Sequence, residues 1–82
     1  MKYEKTKTEI NTDLYLFEHE GLSCSLHCDY KSDDKRCFTG KINHSKFEQQ
    51  FTVSEILAQN DEPVMVEWIA SELVERYKKA LA

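Results

Sequence analysis

Leu22-Ser23-Cys24-Ser25-Leu26-His27-Cys28-Asp29-Tyr30 alternates apolar and polar residues without interruption. Side chains of a strand point to opposite faces in turn. One face of this stretch therefore carries Leu22, Cys24, Leu26, Cys28 and Tyr30, and the other Ser23, Ser25, His27 and Asp29. A slip of one residue would bury the serines, the imidazole and the carboxylate, so the register is firm. Downstream the period changes. Between Val64 and Leu81 apolar residues recur every three or four positions, with Val66, Ile69, Ala70, Leu73, Tyr77 and Leu81 on one stripe. Strands followed by one amphipathic helix make an α+β domain. The expected architecture is a four-stranded antiparallel β-meander, a short helical turn, and a long C-terminal helix packed on one sheet face.

Upstream, a strand is expected from Glu9 to Phe17, with residues 1–7 frayed or adding a ragged start to it. A three-residue loop ending in a left-handed Gly21 would pair Leu16 with Cys24, Leu14 with Leu26 and Thr12 with Cys28. That register turns Asp13, Tyr15 and Phe17 outward. After a polar turn at 31–35, Phe38, Gly40 and Ile42 point inward on a third strand, Arg36 to Asn43. A turn at His44-Ser45 leads to a fourth strand, Lys46 to Val53, pairing Ile42 with Phe47 and Phe38 with Phe51. Tyr30, Phe38, Phe47 and Phe51 are core residues. Thr52 and Glu55 have capping-box spacing for a short helix over 54–59. Pro63 suits the first turn of the final helix, where Glu72–Arg76 and Glu75–Lys79 are spaced for ion pairs.

Eighty-two residues form one domain, 1–82, close to the lower size limit for a self-sufficient core. Such a core gains from extra burial, which favours contact with another protein or with a second copy of the chain. The net charge of -4 disfavours a nucleic-acid binder. Basic residues cluster at Lys2, Lys5 and Lys7, and again at Arg76, Lys78 and Lys79, where they oppose the negative end of a helix dipole. With three cysteines, no N-terminal apolar segment and no bilayer-length apolar run, the expectation is a cytoplasmic chain with reduced thiols.

Cys24, Cys28, Cys37 and three histidines raise the question of zinc. Ligand cysteines converge from a tight knuckle, whereas Cys24 and Cys28 in one strand stand about 13 Å apart at ~3.3 Å per residue. That distance also excludes a disulfide between them, and their positions suit small buried hydrophobes. Neither metal nor cofactor is expected. Cys37 and His27 share the outer face, but nothing supplies an oxyanion hole or an orienting third group, so no enzyme is expected. Asp13 would sit opposite His27 as a solvated cross-strand pair.

The candidate interaction surface is Tyr15, Phe17, His27 and Lys41 on the outer sheet face, with Trp68 on a helix flank shared with Val64 and Met65. Aromatics among serine and histidine suit a protein contact, and a tryptophan beside methionine makes a pliable one. The alternatives are that Tyr15 and Phe17 pack under the N-terminal arm or a helix edge, and that Trp68 caps the open end of the sheet, which is the favoured reading for Trp68. The function expected is a small non-enzymatic protein-interaction module. By analogy of size and composition alone, it resembles accessory or inhibitor proteins of prophages and mobile elements. The second reading is a weak nucleic-acid or nucleoprotein binder using the outer face and the basic N-terminal arm. A zinc- or thiol-dependent protein comes third.

Overall fold

The computed structural model describes residues 1–9, 12–30 and 34–82, without the side chains of Thr8, Glu9 and Tyr30. The expected inward placement of Tyr30 and the turn at 31–33 lie outside these described residues. The described residues form five strands and two helices: β1 (Tyr3–Glu9), β2 (Thr12–His19), β3 (Leu22–Tyr30), β4 (Lys35–Ile42), β5 (Glu48–Ser54), α1 (Glu55–Asn60) and α2 (Glu62–Leu81). The strands make one antiparallel sheet in sequence order, and α2 covers one of its faces. The α+β class and the covering C-terminal helix are as expected. The strand count is five, not four.

The extra strand is β1, which was expected to fray. It pairs with β2 from Tyr3↔Phe17 to Glu9↔Thr12, so the strand expected to begin at Glu9 begins at Thr12. Lys5 Nζ and Tyr3 Oη both donate to the Glu62 carboxylate at the start of α2, at 2.6 and 2.8 Å. That anchor is long-range, so local sequence does not reveal it.

A second correction concerns the β2–β3 hairpin. His19 pairs with Leu22, leaving a two-residue loop, Glu20-Gly21, with φ of 51° and 79°. Both central residues have positive φ, the primed turn that matches strand twist. The register is therefore one residue away from the expected one: Phe17 faces Cys24, Tyr15 faces Leu26, and Asp13 faces Cys28. Tyr15 (0% exposed) and Phe17 (6%) enter the core, and Leu16 (40%) turns outward. Holding a non-glycine residue at positive φ costs roughly 1–2 kcal/mol. Each aromatic ring buries about 150–250 Å², at about 25 cal/mol per Å², which outweighs it.

The remaining register is as expected. Phe38 faces Phe51, and the Ile42 N–H donates to the Phe47 carbonyl across the β4–β5 turn, where His44 has a φ of 68°. Cys24, Leu26 and Cys28 are buried with Phe38, Gly40, Ile42, Phe51 and Val53 beneath α2. Gly40 lets the helix settle: a Cβ there would lie 3.1 Å from Leu73 Cδ2.

α1 is capped by Ser54, whose Oγ accepts from Leu57 N–H at 3.3 Å, rather than by Thr52. On α2 the buried set is Met65, Val66, Ile69, Ala70, Leu73 and Val74, with Tyr77 partly buried against Phe47. Leu81 is 69% exposed, because the helix runs past the sheet before reaching it. The pairs Glu72–Arg76 and Glu75–Lys79 form at 3.6 and 3.2 Å.

Candidate functional site

The outer sheet face, opposite α2, has no element packed on it among the described residues. It holds His27, half-buried beside Leu14 and Thr39, and Lys41, exposed between Ser25 and Glu48. Leu14, Ser25, His27, Thr39, Lys41 and Glu48 line a shallow depression of about 310 Å³. Tyr15 and Phe17 are not part of it. Asp13 is also absent: it is 2% exposed on the core side, where Asp13 and Arg36 both act on the Cys28 thiol. The expected cluster is thus divided between two faces, leaving the outer one without aromatic rings among its described residues.

Two polar arrangements that sequence reasoning missed brace the fold. Glu62 receives Tyr3 Oη, Lys5 Nζ and Tyr15 Oη, the last at 3.0 Å. Burial opposes its charge, but these three donors outweigh burial and hold the carboxyl below its usual range. Tyr3 is pushed up to about 12 by burial and by the neighbouring carboxylate. Tyr15 moves in the same direction for the same reasons. The second arrangement is a two-pronged bond from Arg36 to Glu55, Nε to Oε2 at 2.5 Å and Nη2 to Oε1 at 2.7 Å. It ties β4 to α1 with the fork geometry that guanidinium and carboxylate favour.

Burial pushes the Cys24 and Cys28 thiols up to about 11, so neither offers a thiolate nucleophile near neutral pH. Cys37 is half-buried on the other face, paired with Asp29 and Thr52. Among the described residues no group of three or more His, Cys, Asp or Glu side chains is gathered as a metal site. No helix among them is long and apolar enough to cross a membrane. A depression of about 490 Å³ lies at the Tyr3 end of the sheet, where Lys2, Glu4 and Glu18 present mixed charge to solvent.

Trp68 stands where the edge of the sheet meets the helices. Its ring packs edge-on against Phe51 at 6.2 Å between centroids, yet 49% of the residue is exposed. With Thr52, Val53, Leu57, Met65 and the 63%-exposed Val64 it lines an apolar groove of about 390 Å³. The sequence pairing of Trp68 with Val64 is kept, whereas Met65 is fully buried at the groove floor. Beyond Trp68, Arg76 lies over Phe51, 4.7 Å from the ring centroid, and donates to Gln49 Oε1 at 3.2 Å.

The groove runs beside a sheet edge, because β5 is the last strand. Ile42 N–H donates to Phe47 and Glu55 N–H donates to Asp34. By antiparallel alternation, Gln49, Phe51 and Val53 turn their backbone groups toward β4, and Glu48, Gln50 and Thr52 turn theirs to the open edge. The two edges differ. β1 carries Lys5 and Lys7, follows Lys2, and has a register irregularity between Lys7 and Glu9, which are devices that deter strand addition. β5 is regular, and Gln49 to Ser54 is uncharged. Comparison of the chain with protein-family models, with curated proteins and with solved structures gives no match.

Proposed function

We propose that this chain is a non-catalytic protein-interaction module that takes up an extended strand of a partner along β5, seating that strand's apolar side chains in the Trp68 groove. The observation that carries this reading is the adjacency of an unguarded strand edge and a half-exposed tryptophan over an apolar trough. Strand addition needs both parts. Edge backbone groups supply affinity, and pockets beside the edge select alternate side chains. Tryptophan in a partly enclosed apolar site is the residue type most enriched among binding hot spots. The nucleic-acid reading loses its stacking residues, since Tyr15 and Phe17 lie under α2.

The test is a library of extended peptides, scored by the fluorescence of Trp68, the only tryptophan in the chain. Selected peptides should alternate apolar and polar residues and shift the emission on binding. Trp68→Ala should weaken them about tenfold or more, in line with a hot spot of at least ~1.4 kcal/mol. Binders indifferent to both Trp68→Ala and Thr52→Pro would refute this assignment.

A further inference from the structure

Building on that strand-recruiting reading, we infer that the strand taken up is β5 of a second copy, giving an isologous dimer with a continuous ten-stranded sheet. The two-fold axis that overlaps the whole of Glu48–Ser54 passes through Phe51. It pairs Gln50 with Thr52 of the second copy, and Thr52 with its Gln50. Both residues turn their backbone groups to the open edge, so the parity is right for two doubly bonded pairs at the centre, four bonds, and Glu48 and Ser54 have the same parity at the two ends. Glu48, the one charged residue of β5, falls opposite Ser54 rather than opposite its own copy. No like charges meet along the strand seam; in the helix layer Glu72, midway between Trp68 and Arg76, lies nearest the axis and is paired with Arg76 of its own copy at 3.6 Å.

The helix layer is self-complementary under the same axis. α2 runs antiparallel to β5: Val64 lies by Thr52 and Val53, Trp68 by Phe51, and Arg76 by Gln49. Trp68 and Arg76 thus flank Phe51 on either side along the helix, about 12 Å apart at ~1.5 Å per residue. A two-fold through Phe51 exchanges those sides. Trp68 of each copy then faces Arg76 of the other, a pairing of indole and guanidinium that is favourable in itself. Because Leu73 seats α2 over Gly40 on β4, the two helix axes stand three strand spacings apart, roughly 14 Å. Helices about 10 Å across leave a trough there, of a width that Trp68 and Val64 can fill.

Area sets the expected strength. Seven residues at ~3.4 Å give a seam about 24 Å long, and a sheet-plus-helix layer is roughly 20 Å deep. The contact buries about 480 Å² per copy, or roughly 1,000 Å² in total, the lower bound for a specific interface. The dimer should therefore be concentration-dependent, in the micromolar range.

Sedimentation velocity of the full chain from about 1 μM to about 1 mM reads this directly. The expected result is a shift from 9.7 kDa toward twice that mass, with Gln50 and Thr52 amides gaining protection from hydrogen exchange at high concentration. Thr52→Pro removes only an edge N–H, leaving the β4–β5 ladder, and should raise the half-dimer concentration at least ~30-fold without unfolding the chain. Thr52→Lys is the second variant: it places two cations near the two-fold and should weaken association ~10-fold. A chain that stays monomeric at every concentration while selected peptides still bind at Trp68 overturns the second copy and leaves strand recruitment standing. Absence of both overturns both. A dimer unaffected by either Thr52 variant associates through another face, which also overturns this inference.

Discussion

Truncating Tyr15 and its neighbour Leu16 in turn measures the β2 register. Tyr15 is fully buried, its ring lies 6.3 Å from Phe38 and 5.7 Å from Tyr3, and its hydroxyl donates to Glu62. Replacing a buried aromatic by alanine costs about 3–5 kcal/mol. A domain of this size is held by roughly 4–12 kcal/mol in total, at ~0.05–0.15 per residue. Tyr15→Ala should therefore consume a large share of the stability. Leu16, on the open face, should lose no more than about 1 kcal/mol on truncation. Tyr15→Phe separates ring from hydroxyl: Glu62 keeps Tyr3 and Lys5, so the change should cost about 1 kcal/mol. Urea unfolding followed by circular dichroism resolves these steps, since a slope of ~1 kcal/mol/M turns 1 kcal/mol into a midpoint shift of about 1 M. If Leu16→Ala proves more damaging than Tyr15→Ala, the hairpin register described above is wrong by one residue.

Glu20→Asn should raise the urea midpoint slightly: asparagine tolerates positive φ, and the gain of about 1 kcal/mol exceeds what the exposed Lys78–Glu20 pair is worth. Arg36→Ala should lower stability by about 3–5 kcal/mol in the same assay, because it strips a buried guanidinium from Glu55 and from the neighbourhood of Asp13 and Cys28. Tyr3, pushed up to about 12, favours the folded state fully below pH ~10, and this contribution is lost as pH rises toward 12. Ultraviolet titration should show Tyr3 ionising late in the wild type and earlier in Glu62→Gln. Glu62 itself has a depressed folded value, so its contribution is present above about pH 4.3 and is lost as pH falls below that. Acid titration by NMR should show β1 amides losing protection first.

Elements whose identity depends on local pattern were legible. The alternation of Leu22 to Asp29, the Phe38–Phe51 pairing and the stripe on α2 follow from periods of two and 3.6, which need no distant partner. Trp68 was also legible as a residue off the buried stripe. The groove it lines was not, because that groove needs β5, α1 and α2 together, and the open edge is defined only by which strand comes last.

What local pattern could not settle was β2, which carries apolar residues on both parities. Leu14 and Leu16 compete with Tyr15 and Phe17 for the core, and turn chemistry alone permits either a two- or a three-residue loop. The tertiary structure decides it. Glu62, 47 residues away, accepts the Tyr15 hydroxyl and lets the whole tyrosine go under the helix with its polar end satisfied. The same carboxylate holds Tyr3 and Lys5, which makes β1 a strand rather than a frayed end. Local periodicity specified a meander under an amphipathic helix. One long-range acceptor determined which side of β2 lies beneath that helix, and hence that the outer face carries Leu14 and Leu16 rather than Tyr15 and Phe17.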